Sequence, residues 1–284
     1  MQFFKLHTNS SIHNKYRKLE RMMFELTMND PRAIQGVFDA VAAIIDETEI
    51  TFNSSGISLT SIDAGRVCLI SLKLDKEDFD AYKCDKEVKL GLNIEDLVKI
   101  LKRSSGSDSI IFQFAEDSNK LVILMQSSEG KKMRKFSITL KDISMPPIKP
   151  ESLEKISYNN SVTLPIGYLE EAIKDADIYN DTAIVSMTDQ ALIFRSEGNV
   201  GETECVLDKE DSLMTNFIMK DEAEGTFALK FLNHMLKVSS VPNVSKVELS
   251  VSTDQPLKAT FNIMGASTIK YFLAPRIEDE EEEY

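Results

Sequence analysis

"IEDLVKILKRSSGSDSI", residues 94–110, and "LKFLNHMLKVSS", residues 229–240, decide the fold between them. Laid over each other at a shift of 135 positions (102 onto 237), Leu97, Ile100, Leu101 and Lys102 fall on Leu232, Met235, Leu236 and Lys237. A Ser-Ser pair follows both times. The same shift carries Ile34, Val37, Phe38 and Val41 onto Leu169, Ala172, Ile173 and Ala176. It also carries Ile57, Leu59 and Ser61 onto Leu192, Phe194 and Ser196. One constant offset across two helical patterns and a strand reads as an internal duplication.

Within each copy the periods differ by segment. "PRAIQGVFDAVAAIID", 31–46, has the apolar spacing of an amphipathic helix, and a second helix starts at Ile94 behind Asn93 as N-cap. "ITFNSSGISLTSI", "RVCLISLKL", "SIIFQFAED", "KLVILMQ" and "KFSITL" alternate like strands. The expected class is α+β: two copies of one domain, each of antiparallel strands with two helices on one face. The copies span 23–140 and 159–276, between an N-terminal extension (1–22) and an acidic tail (277–284). "KDISMPPIKPESLEKISYNN" carries three prolines between them. Proline removes ladder donors and favours extended neighbours, so 141–158 reads as a crossing connector.

Charge is distributed unevenly. The chain of 284 residues has a net charge of −13, yet Lys99, Lys102 and Arg103 gather opposite the apolar side of the 94 helix. Lys230, His234 and Lys237 do the same on the helix expected over Leu229–Val238, and Lys174 adds a cation to the third helix. Such a total argues against general adhesion to nucleic acid and leaves room for a local cationic face.

Several chemistries find no support. There is no P-loop or GxGxxG pattern, and "GNVG" at 198–201 reads as a turn. His7, His13 and His234 lack metal-ligand spacing, and no nucleophile–base–acid set is visible, so neither a metal nor a cofactor is expected. Cys68, Cys84 and Cys205 form no CxxC pair, which fits a reducing compartment. No apolar run approaches the ~20 residues that cross a bilayer.

"SSGISLTSIDAGRVCLISLKL" (54–74), "FDAYKCD" (79–85), "VKILKR" (98–103) and "YFLAPRIEDEE" (271–281) resemble the sliding clamps of the proliferating cell nuclear antigen family, in order from Met23 to about Glu281. Arg276 gives the likeness an archaeal cast, and residues 1–22 precede the family's usual start. The resemblance implies a closed homotrimeric ring around duplex DNA that tethers replication enzymes and performs no chemistry itself. A heterotrimeric or checkpoint ring subunit is the alternative. It implies that Lys99, Lys102, Arg103, Lys174, Lys230, His234 and Lys237 face DNA. It implies a pocket for short peptide motifs of DNA polymerase, clamp loader, flap endonuclease and DNA ligase. Ile62, Arg66, Val67, Ile148, Pro256, Phe272, Leu273, Ala274 and Pro275 would border that pocket, with Phe272 and Leu273 near an exposed edge. It implies subunit contacts between the edge carrying Arg134, Lys135 and Phe136 and the edge carrying Glu202 and Glu204. The implied location is the cytoplasmic nucleoid of an archaeon, or the nucleus of a eukaryote, with no membrane contact.

Overall fold

A computed structural model describes residues 21–143, 148, 153 and 155–276. The expectations for residues 1–20, most of the connector and the tail 277–284 lie outside the described residues.

The two helices of the first copy begin at side-chain caps, whereas those of the second start behind Pro165 and Ala228 with no side-chain cap. Asp30 accepts the Arg32 amide and Pro31 fills the first turn, so α1 runs Pro31–Ala42 with Ile34, Val37, Phe38 and Val41 at most 3% exposed. The apolar spacing continues to Ile45, but the helix stops at Ala42; Ile44 and Ile45 enter the core from the following turn. Helix α2 (Ile94–Leu101) opens on Asn93, whose side-chain oxygen accepts the Asp96 amide at 2.9 Å. In the second copy, α3 is Ile166–Ala176 and α4 is Leu229–Met235. The last of these does not run to Val238 as a regular α-helix; it tightens into a 3₁₀ turn over Leu236–Ser240.

Among the described residues eighteen strands form three antiparallel sheets. The first joins β5 (Ala81–Cys84), β1 (Met22–Met28), β7 (Asp108–Ala115), β8 (Lys120–Ser127) and β9 (Met133–Thr139), in that order. The second, of nine strands, crosses both copies. It runs β14 (Thr215–Ile218), β10 (Asn160–Pro165), β16 (Lys246–Val251), β17 (Leu257–Met264), β18 (Ser267–Leu273), β4 (Cys68–Asp75), β3 (Gly56–Ile62), β2 (Glu47–Asn53) and β6 (Val88–Asn93). The third is β13 (Gly201–Asp208), β12 (Ala191–Gly198), β11 (Thr182–Met187) and β15 (Ala223–Ala228). The join within the second sheet is the pair β18–β4, in which Thr268 to Leu273 lie opposite Lys73 to Cys68. In the first copy alternation marks β2, β3, β4, β7, β8 and β9 and misses β1, β5 and β6; nor does it say that the two copies share one sheet.

The duplication extends to single hydrogen bonds. Ile94 N donates to Asp46 O and, 135 residues on, Leu229 N donates to Asp181 O. Lys141 N donates to Gly91 O and Arg276 N to Thr226 O, at 2.9 and 2.7 Å. Each of those two cations also pairs with an acid, Lys141 with Glu47 and Arg276 with Asp181. Both copies therefore end in the same tie onto the last strand before their second helix.

One continuous core lies between helices and sheets and includes residues of both copies. At its centre Tyr271 is fully buried against Phe261, and its hydroxyl has no hydrogen-bond partner among the described residues. An unpaired buried hydroxyl destabilises a fold. Tyr271→Phe is therefore expected to raise stability by about 1 kcal/mol, a rise of roughly 2–4 °C in Tm at this chain size. A fall of several degrees in a thermal melt would show that the hydroxyl is bonded.

Candidate functional site

These four helices pack as neighbours among the described residues. Helix α1 lies against α2 and against the 236–240 turn, and α3 lies against α4. Contact between the copies is close at Gly36, where an added Cβ would stand 3.0 Å from the backbone of Val241. No side chain larger than hydrogen fits there without a shift.

On this helix layer the expected cations divide into two sets. Lys99 pairs with Glu95 (2.9 Å) and Asp96 (3.7 Å), Lys102 with Asp39 (2.7 Å), and Lys174 with Glu170 (2.8 Å). These are exposed pairs, each worth about 0–1 kcal/mol, so a phosphate can compete for the cation. Lys230 and Lys237 are exposed and make no ion pair among the described residues; Lys230 lies 5.8 Å from the Phe231 ring centre. His234 is half-buried, and burial first, then Lys230 and Lys237, holds its imidazole below the usual histidine range. At neutral pH it adds shape to this face and little charge. A cavity of about 430 Å³ opens between α3 and the 236–240 turn, bordered by Lys174, Lys237, Ser239 and Ser240 with Asp39 and Glu170.

Arg103 is exposed and does not border that cavity. It borders a cavity of about 250 Å³ with Ser105, Asp108, Lys132 and Arg134, beside β9. Arg134, an expected subunit contact, turns inward: its guanidinium bonds Asp108 at 2.7 Å and the Arg103 carbonyl at 2.8 Å. Backbone hydrogen bonding from Ser105, with Arg134 as a further partner, keeps the Asp108 carboxyl below the ordinary range. Arg134 is thus committed within its own domain. Lys135 is exposed and Phe136 half-buried on β9, while Glu202 and Glu204 are exposed on β13. Both strands sit at sheet edges, β9 beside β8 alone and β13 beside β12 alone.

The expected peptide pocket needs one correction. Strand β18 is not an edge; it is paired on both sides, by β17 and β4. Leu273 is fully buried and Phe272 is 6% exposed; as consecutive strand residues they face opposite sides of the sheet, and Leu273 belongs to the core. Ile62, Val67, Pro256, Ala274 and Pro275 are half-buried, and Arg66 is exposed with φ +56°. The Asp63 carboxylate shapes that loop by accepting the amides of Gly65, Val67 and Cys68 at 2.7–2.9 Å. Val67 O accepts the Ala274 amide, which ties the loop to the end of β18. Burial, helped by Asp63, pushes the Cys68 thiol up to about 12, so it stays protonated. On the other flank Tyr158 OH donates to Pro256 O at 2.9 Å, and the Lys258 ammonium stands 4.6 Å from the Tyr158 ring centre. Phe272 lies in register between Lys258 and Leu69, so both flanks border one stretch of β18. Ile148 is half-buried, with most of its chain neighbours outside the described residues.

Residues 23–147 match the domain described as "Proliferating cell nuclear antigen, N-terminal domain", and 152–276 match its C-terminal counterpart. The chain belongs to the proliferating cell nuclear antigen family. A curated relative from Methanococcus vannielii, named DNA polymerase sliding clamp, is 31% identical over 259 residues, covering 90% of this chain and all of the relative. One of the same name from Methanothermobacter thermautotrophicus is 30% identical over 260 residues, covering 91% and 100%. The crystal structure of PCNA from Thermococcus kodakaraensis superposes with a TM-score of 0.80 over 89% of this chain and all of that one. At 24% identity that likeness concerns the fold.

Within this family member, sequence reasoning missed the acids that compensate the helix cations. Glu95 and Glu170 stand four residues before Lys99 and Lys174 and were legible from spacing. Asp39 meets Lys102 across two helices, and only packing brings them together.

Proposed function

We propose that this chain is a DNA sliding clamp of the archaeal type: three copies closed into a ring, helices lining the bore, sheets outward. The clamp reading asks no chemistry of the chain. The observation that carries it is the unfinished repeat of the β18–β4 join. Strand β9 is the first-copy counterpart of β18, and β13 the second-copy counterpart of β4. Inside the chain the counterparts pair; β9 and β13 are left as edges of two different sheets. Unpaired edges seek strands. If β9 of one chain pairs with β13 of the next as β18 pairs with β4, three chains give six like domains and close head to tail.

The bore would present Lys99, Lys102, Lys174, Lys230 and Lys237 to phosphates, without base readout. The surface bordered by Ile62, Arg66, Val67, Pro256, Ala274 and Pro275, with Ile148 of the connector, would take short peptide motifs of the polymerase, clamp loader, flap endonuclease and DNA ligase. Its place of action would be the archaeal chromosome in the cytoplasm. No helix among the described residues is long and apolar enough to cross a membrane.

Loading onto DNA tests the reading. Clamp loaded by its cognate loader onto nicked circular duplex is expected to stay bound through gel filtration at high salt, and to run off once the circle is cut. Equal retention on cut and uncut DNA would mean adhesion rather than encirclement.

A further inference from the structure

The join inside the chain ends in a lock. The β17–β18 hairpin turns at Gly265, whose φ of +31° leaves no room for a side chain: an added Cβ would stand 2.0 Å from Asp78 Oδ1. Next to it Ser267 is fully buried. Its hydroxyl donates to Asp78 Oδ2 at 2.5 Å and accepts the Asp75 amide at 2.9 Å. A hairpin of the second copy is thereby fixed to the turn that follows β4 of the first.

Both halves of this lock have counterparts on the open edges. The turn after β4 opens with the same kind of hydrogen bonds as the turn after β13, its donors shifted by 133 (75 onto 208). Asp75 accepts the Glu77 amide, and Asp208 accepts the Glu210 amide. Lys76 N donates to Ser55 O, and Lys209 N to Gln190 O. By the same shift Asp78 falls on Asp211, although the two turns then part: Phe79 N donates to Lys76 O, whereas Asp211 N donates to Asp208 O. The hairpin side is anchored by the Lys141 and Arg276 ties, which place β9 on β18 at a shift of 135, so Ser267 corresponds to Lys132. Projected through these shifts, the intrachain register puts Lys135 of one chain opposite Glu204 of the next, and Met133 opposite Val206. Val206 is 53% exposed in the single chain. The same projection brings Lys132 onto Asp208 and Asp211. Lys132 is exposed and makes no ion pair among the described residues. Asp208 and Glu210 are exposed; Asp211 is half-buried, and its carboxylate already accepts the Tyr168 hydroxyl at 2.9 Å and the Leu213 amide at 2.8 Å, so Asp208 is the more open acceptor.

We infer that Lys132, on the 127–132 hairpin of one subunit, docks on the Asp208–Asp211 turn of the next, an ionic lock where the intrachain join has a neutral, buried serine. This rests on the ring reading above. Its consequence is an asymmetry among six otherwise similar joins. The three within chains are continuous sheet with a buried hydroxyl lock. The three between chains end in a solvent-exposed ion pair, which salt screens. The ring should accordingly open between chains, and more readily as ionic strength rises.

Two measurements on the intact protein decide it. Light and ¹⁵N-labelled protein, mixed and allowed to exchange subunits, is treated with a water-soluble carbodiimide, and the cross-linked peptides are read by mass spectrometry. Light-to-heavy links from Lys132 to Asp208 or Asp211 are expected; their absence in a protein that is trimeric would overturn the lock. In parallel, Lys132→Glu, a surface change that the fold should tolerate, is followed by analytical ultracentrifugation across sodium chloride concentrations. The dissociation constant of the trimer should rise roughly tenfold at low salt, with a flatter salt dependence than the parent. An unchanged dissociation constant at every salt would also overturn it. A parent that stays monomeric throughout would remove the ring itself, and the lock with it, whereas a trimer indifferent to Lys132 removes the lock alone.

Discussion

Glu202→Lys combined with Glu204→Lys is expected to convert the ring to single chains at micromolar concentration. Both carboxylates are exposed on the open edge strand β13. The register projected from the β18–β4 join puts Glu204 opposite Lys135 and Glu202 opposite Ser137 of the neighbouring chain. Reversal at 204 replaces an attraction with a lysine directly opposite Lys135, and reversal at 202 adds a second cation diagonal to it; like charges at such positions destabilise a ladder. Each position contributes on the order of 1 kcal/mol, so the pair should weaken each contact by roughly 30- to 100-fold. Light scattering coupled to gel filtration reads the outcome, and circular dichroism checks that the monomer keeps its strands. Neither side chain enters the core, so loss of fold is not expected. A double variant that elutes as the parent does would place the subunit contact elsewhere.

The second large effect belongs to the helix face. Lys230→Glu with Lys237→Glu should lower the affinity for short duplex DNA by about 10- to 100-fold at low salt. The plot of log affinity against log salt should flatten by close to one unit for each phosphate that is no longer neutralised. These two lysines are chosen because they have no acidic partner among the described residues, whereas Lys99, Lys102 and Lys174 are partly neutralised where they stand. The same logic gives a companion of opposite sign. Asp39→Asn removes the partner of Lys102 and should strengthen DNA binding modestly. Both variants should remain assembled, because none of the three residues lies on β9 or β13. Fluorescence anisotropy across a salt series measures the slopes. If Lys230→Glu with Lys237→Glu leaves both affinity and slope intact, the face is merely solvated.

Legible in the residues alone were the duplication, the α+β class, the helical segments and strands β2–β4 and β7–β9; β1, β5, β6 and the order of strands in the sheets were not. The reason is that apolar periodicity and caps are local, and a repeat at constant offset exposes them twice. Asn93 as a cap and Ile34, Val37, Phe38 and Val41 as a buried stripe needed no knowledge of distant neighbours. The family resemblance came from the same local strings. What the tertiary structure decided was everything that depends on which elements meet. "YFLAP" read as a potential edge, since five residues cannot report that β17 and β4 flank them on both sides; Leu273 proved to be core. Arg134 read as a surface cation, because alternation cannot reveal Asp108 waiting beneath it, 26 positions away. Lys102 read as an unopposed charge, because Asp39 approaches it only when two helices pack side by side. The projection of Lys132 onto a neighbouring chain's Asp208 and Asp211 also needed the folded chain, since the repeat shift differs between the two halves of the lock, 135 on one side and 133 on the other, and only the hydrogen-bond register records that difference.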